Sequence, residues 1–154
     1  MLKILALTLA LLPLSAQGDL VQKYIGKWAG TANTTTKGKF KVTAVIRRAG
    51  ENLKVSYVSK GQGGSSAGSI LAVPKGDGAC YSANLAAAVN PAIPMNADIC
   101  LDEYGNAAIT SMMANGSATL SETGKTCSFS IRSPLGSATG TFRKVPPGKK
   151  RRAK

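Results

Sequence analysis

The sequence predicts an all-β chain: a single antiparallel up-and-down β-barrel of about eight strands, with a β-sandwich as the alternative. Three observations lead there. Short segments that alternate apolar and polar residues recur along most of the chain. Gly, Asn, Asp and Ser separate them at short intervals, as they do in sandwiches and barrels. Helical periodicity is scarce, and even spacing of eight to ten such segments suggests closure.

The ends fall outside that pattern. Residues 1–18 read MLKILALTLALLPLSAQG. One lysine precedes an uncharged run from Ile4 to Leu14, and small residues follow, which is the order of a secretory signal peptide. The run is shorter than the ~18 residues needed to span a bilayer. Residues 19–145 are then the barrel domain, and residues 146–154 a disordered basic tail. That tail holds Lys149, Lys150, Arg151, Arg152 and Lys154 behind Pro146-Pro147-Gly148.

The segments can be taken in order. Lys27–Asn33 contains the single tryptophan of the chain, Trp28. Lys39–Arg47 is the clearest strand, because Phe40, Val42, Ala44 and Ile46 alternate with Lys39, Lys41, Thr43 and Arg47. Ala49-Gly50-Glu51-Asn52 turns the chain, and Leu53, Val55 and Tyr57 continue the alternation, so the two segments form a β-hairpin. Gly61–Gly68 reads as a glycine and serine loop. Ser69–Val73, Ala79–Ala83, Asp98–Asp102, Ala107–Met112, Ser117–Ser121, Thr126–Arg132 and Ser137–Lys144 are the later strands. Gly76-Asp77-Gly78 and Asn115-Gly116 are turns between them. Leu85–Met95 is apolar but carries Pro91 and Pro94, and reads as a short helix or a loop.

Alternation also sorts the faces. Trp28, Phe40, Val42, Ile46, Leu53, Val55, Tyr57, Leu120, Phe129, Ile131 and Phe142 share the apolar side. Lys39, Lys41, Arg47, Lys54, Lys60, Arg132 and Arg143 take the other. The interior is apolar and nearly uncharged, and the outside is basic. Setting aside one basic residue in the signal and five in the tail, the 20 basic residues leave 14 against 7 acidic ones. Such a field favours anionic partners.

Three cysteines in an exported chain allow one disulfide. Cys127 shares its face with Phe129 and Ile131, and reads as a core thiol. Cys80 and Cys100 lie on wet faces, so the expected bridge is Cys80–Cys100. It would close a loop over Leu85–Met95, worth ~3 kcal/mol on the chain-entropy view. There is no histidine and no paired cysteine spacing, so neither a metal nor a cofactor is expected.

Gly26-Lys27-Trp28, the hairpin Phe40–Tyr57 and Thr139-Gly140-Thr141-Phe142-Arg143 together resemble the lipocalin and avidin group of barrels. The resemblance implies an eight-stranded barrel in which Trp28 plugs one end and Arg143 lies across it in a cation–π contact. The residues with which avidins bind biotin have no counterpart here, so that activity is not implied.

Other motifs dissolve on inspection. Gly64-Ser65-Ser66-Ala67-Gly68 has the letters of a nucleophile elbow, but that device needs a strand before it, a helix after it and a histidine base. Gly124-Lys125-Thr126 lacks the earlier glycine of a phosphate loop, because Thr119 stands there. Asp102 and Glu103 are adjacent and point apart on a strand. No catalytic residue is assigned.

The expected function is that of an exported, secreted or periplasmic, non-catalytic binding protein. In the first reading the barrel carries a small apolar ligand against Trp28, Phe40, Val42, Tyr57, Phe129 and Phe142. In the second it binds a protein, such as an acidic hydrolase that it inhibits, through loops such as Gly61–Gly68. In a third, the basic face and tail hold an anionic polymer or a membrane surface. No aromatic is interleaved with the tail cations, so no specific nucleic acid is expected. Interior volume discriminates the first two readings: an empty lumen favours the ligand and a packed core favours the protein partner.

Overall fold

Ten strands follow one another, and each is hydrogen-bonded to the next. They are β1 Gly26–Thr34, β2 Gly38–Ala49, β3 Asn52–Gly61, β4 Gly64–Pro74, β5 Cys80–Asn84, β6 Asn96–Leu101, β7 Ala107–Ser111, β8 Asn115–Leu120, β9 Thr126–Ser133 and β10 Gly136–Val145. A short helix, α1 (residues 20–24), precedes β1. The computed structural model describes residues 20–76, 79–85 and 96–148. β1 also pairs with β10 antiparallel, Trp28 opposite Lys144 and Gly30 opposite Phe142, so the sheet closes on itself. The chain is a closed, antiparallel up-and-down barrel of ten strands.

Closure removes the β-sandwich alternative, and the count corrects the expectation of eight. The turn signals already separate ten segments, and the number eight comes with the lipocalin and avidin resemblance. β5 to β8 are only five or six residues each. Every one still completes a ladder with both neighbours.

Two local readings are also corrected. Gly61–Gly68 is not a loop. Only Gln62 and Gly63 turn there, and β4 begins at Gly64, whose φ of 111° is open to glycine alone. Ser66 and Gly68 then pair with Ser59 and Tyr57 of β3. The serine at the centre of the elbow-like motif therefore lies in an extended strand. Likewise, Asn115-Gly116 is not a turn. The chain reverses at residues 112–114, with Ser111 Oγ accepting from the N–H groups of Met113 and Ala114. The Leu85–Met95 segment lies outside the described residues except for Leu85.

The registers place one parity of every strand inside. Inward positions hold Trp28, Phe40, Val42, Ile46, Leu53, Val55, Tyr57, Leu120, Phe129, Ile131 and Phe142. Lys39, Lys41, Arg47, Lys54, Lys60, Arg132 and Arg143 point outward and are exposed. On β2 the outward cations Lys41 and Arg47 are six residues apart, about 20 Å of strand. They leave no room for the apolar belt, ~25 Å tall, of a membrane barrel.

Five inward glycines are required by space rather than by dihedral angle. Each lies directly opposite a large inward side chain of the adjacent strand: Gly30 by Phe142, Gly61 by Phe40, Gly68 by Tyr57, Gly116 by Ile131 and Gly140 by Phe129. A Cβ at Gly140 would stand 2.4 Å from Phe129 Cε1, one at Gly61 2.6 Å from Phe40 Cδ1, and one at Gly68 2.7 Å from the Tyr57 hydroxyl. The rings lie flat across the neighbouring strand, and a bare backbone receives them. Phe129 and Phe142 also stack on each other, with centroids 5.5 Å apart and planes at 18°.

Gly140→Ala is expected to destabilise the fold by ~1–3 kcal/mol, because the methyl meets both Phe129 and the Thr31 carbonyl. Gly148→Ala, with open space around it, is expected to be neutral. Urea melts of the two variants compare them directly.

Candidate ligand site in the barrel lumen

One end of the barrel has a floor. α1 crosses it and buries Val21. Three hydrogen bonds hold the helix down. The Tyr24 hydroxyl donates to the Gly105 carbonyl in the β6–β7 turn. Trp28 Nε1 donates to the Tyr24 carbonyl at 2.8 Å, and Lys144 Nζ to the Lys23 carbonyl at 2.8 Å. The turn that receives Tyr24 is itself fixed, because the Asp102 carboxylate accepts from the N–H groups of Tyr104 and Asn106. Those bonds outweigh desolvation and hold the Asp102 carboxyl below its ordinary pKa. Trp28 is 3% exposed, and Leu120 and Ala107 are also buried.

The cation on Trp28 is Lys144 and not Arg143. Lys144 Nζ sits 5.4 Å from the indole centroid. Arg143 pairs with Ala29 and Thr126 on the outward parity and is exposed. Alternation alone carries this correction. With Phe142 facing inward, Arg143 faces outward, and the next inward residue is Lys144. Strand number and the identity of this cation both depart from the lipocalin and avidin pattern.

Above the floor most inward side chains keep partial solvent access. Among the described strand residues only Trp28, Ala72, Ala83, Ala97, Ala107 and Leu120 are buried, and no large side chain is fully enclosed. Phe40, Val42, Tyr57, Phe129 and Phe142 all face inward and all keep partial solvent access. Two causes combine. Ten strands enclose a wider interior than the eight that side chains just fill. The small inward residues, such as Ala32, Ala44, Ala118 and Ala138, and the rings folded onto glycines, reduce the volume that side chains fill. Between Lys144 on the floor and the other end, no described inward position carries a charge.

The opposite end is the mouth. The β1–β2, β3–β4, β7–β8 and β9–β10 turns lie there, and β5 and β6 leave and enter the connection 85–95 there. Hydroxyls at this level serve the turns: Ser133 Oγ donates to the Gly136 carbonyl, and Ser111 Oγ to that of Ala114. Met112, Met113 and Leu135 are exposed at the turn tips. The mouth therefore has an apolar fringe and no acidic turn residue among those described.

The other residues singled out from the sequence fall as follows. Cys80 and Cys100 are directly opposite on the outer faces of β5 and β6 and form a disulfide. Cys127 is a free, half-buried thiol on the inner face, and burial raises its pKa. Lys149, Lys150, Arg151, Arg152 and Lys154 lie outside the described residues, as does the segment 1–18. No group of described His, Cys, Asp or Glu side chains is arranged to hold a metal. Sequence reasoning misses α1 as the floor. Five residues carry too little periodicity to register, although Leu20, Val21 and Tyr24 fall at helical spacing.

No family model and no curated protein matches the chain. Among solved structures it is similar to the zebrafish ileal bile acid-binding protein complexed with cholic acid, at 11% identity over 80% of this chain and 99% of that one, TM-score 0.47. It is also similar to a redesigned β-barrel bound to DFHBI, at 17% identity over 80% and 96% of the two chains, TM-score 0.46. A de novo designed fluorescence-activating β-barrel matches at 11% identity over 80% and 95%, TM-score 0.41. These identities are too low to carry any residue's role across.

Two outcomes are expected at the floor. Trp28→Ala should cost ~3–5 kcal/mol through its cavity, Lys144→Ala ~1 kcal/mol through the cation–π contact, and Arg143→Ala almost nothing. The first two losses should combine less than additively in the double variant, which thermal melts will show. The second outcome concerns pH. Burial, with Cys127 and Asp102 nearby, pushes the Tyr24 phenol far above its ordinary 10.0, and burial raises Cys127 above 9.0. The folded chain thus holds both protons more tightly than the unfolded chain. Stability is fully present below pH 9.0 and declines as pH rises past 9.0 and then 10.0. Tyr24→Phe should flatten the upper part of that decline in melting temperature against pH.

Proposed function

We propose that the chain is an exported, non-catalytic carrier that holds one small apolar ligand in the barrel lumen. The observation that supports it is the uncharged interior, closed by Trp28 and α1 at one end, whose inward aromatic side chains keep partial solvent access. The aromatic faces of Phe40, Tyr57, Phe129 and Phe142 lie along the wall, so a ligand entering the lumen meets flat apolar surface. The apolar fringe of Met112, Met113 and Leu135 at the mouth suits the passage of such a molecule.

Export is supported by the signal-like order of residues 1–18 and by a disulfide, which persists in oxidising compartments. Non-catalytic action is supported by the lack of any histidine and by an elbow-like serine that lies in a strand. The alternative of a protein inhibitor takes Gly61–Gly68 as an example of a contact loop, and only Gln62 and Gly63 turn there.

N-phenyl-1-naphthylamine is a suitable apolar probe, since its emission rises in apolar surroundings and its absorption overlaps the emission of the single tryptophan. Binding near Trp28 should quench indole emission and raise probe emission with one saturable site. Ala118→Phe, on the inner face between Ala107 and Phe129, should fill the lumen and weaken the probe by about tenfold or more with the fold retained. An Ala118→Phe variant that folds and binds the probe as well as the parent would sink the lumen reading.

A further inference from the structure

The outer wall carries an arrangement that stability does not explain. On β2 and β3 the register sets Lys41 directly opposite Lys60, and Arg47 directly opposite Lys54. All four point outward and are exposed. Like charges directly opposite on one face of an antiparallel pair are destabilising. Here two such pairs occur on one hairpin. No acidic side chain stands on β1, β2 or β3, and Lys39 adds a further outward cation beside Lys41. The single described ion pair of the chain, Lys75 with Asp98, is on the other side of the barrel.

A second feature adjoins the first. A shallow depression of about 340 Å³ lies on the wall of β9, β10, β1 and β2. Its outward-facing lining is Thr31, Asn33, Lys39, Ser128, Thr139 and Thr141: hydroxyls, one amide and one ammonium. Thr31 is the direct β1 partner of Lys41, so the polar depression runs into the first cation pair without a break.

We propose that this wall binds a linear anionic polysaccharide bearing sulfate or carboxylate groups. The cation pairs stand at two levels about 20 Å apart along the strands, with Thr43, Val45, Ser56 and Val58 between them. An anion bridging each pair removes the repulsion that the free protein bears, so the two like-charged pairs are relieved only in the complex. Sugar hydroxyls find donors and acceptors in the Thr, Ser and Asn lining. The same wall has no aromatic side chain for stacking nucleobases, because Phe40 and Tyr57 point inward. Its convex curve meets a flat bilayer only along a line.

The inference is independent of the lumen ligand, and the test keeps the two apart. Heparin is titrated calorimetrically into the full chain at low salt, beside Lys54→Glu/Lys60→Glu and Lys54→Gln/Lys60→Gln. The Glu variant should lose at least about tenfold in heparin affinity with a shallower salt dependence. Its melting temperature should rise at low salt, since both facing pairs become opposite in sign. The Gln variant should move the same way by less. N-phenyl-1-naphthylamine binding should be the same in all three. Unchanged heparin affinity would overturn the assignment, whether the tail or nothing carries the binding. So would a larger loss toward phosphatidylserine vesicles or duplex DNA than toward heparin.

Discussion

The fit of a flat ring onto a bare strand governs this barrel. At four places an aromatic residue faces a glycine in direct register, and at a fifth an isoleucine does. The contact does three things at once. It shields the glycine's backbone, which would otherwise weaken the strand. It pins the register, because a slip of one residue would set the ring against a Cβ and turn the strand's apolar side to water. It also keeps the rings against the wall and out of the centre. A barrel of ten strands filled by projecting side chains would need large residues at its inner positions, and Ala, Gly and Ser occupy many of them here.

The rest of the structure can be ordered by its dependence on that fit. The wall is stiffened where the aromatic pairs are, on β1 to β4, β9 and β10. The arc from β5 to β7 has none of these pairs, and only three residue pairs join β4 to β5. The disulfide lies in this arc and ties β5 to β6 on the outside, where it takes no interior room. α1 and its hydrogen bond to the β6–β7 turn tie the same arc to the stiff side through the floor.

Much of this is legible from alternation. The parity of each strand yields the inner aromatics, the outer cations, the Cys80–Cys100 bridge and the inward Cys127. It fails where a family expectation is set above it. The resemblance lays Arg143 on Trp28 although its own parity puts it outside, and Lys144 takes that position. The same resemblance brings eight strands although the turns divide the chain into ten. The interior glycines are the hardest to read. Gly61, Gly68 and Gly116 have the composition of loops and turns, and only a cross-strand partner, invisible in a single sequence, shows that a strand needs their missing side chains. The charge repulsion on β2 and β3 is invisible for the same reason, because each lysine looks ordinary until its register is known.

Pairing of β1 with β10 sets when the molecule can exist. Every other ladder joins neighbours in sequence and can form as each hairpin arrives. The seam joins Lys27 to Val145, across almost the whole folded length. Until that seam is made β1 has an unpaired edge, Trp28 lacks its Lys144 cover, and the lumen has no complete wall. Contacts of such sequence separation are slow to form because the loop entropy must be spent first. The seam is therefore expected to be the last ladder to form, with the last strand completing the first. Loss of residues 142–145 would remove the half of the seam that holds Trp28 opposite Lys144 and leave only Thr31–Thr34 paired with Ala138–Thr141.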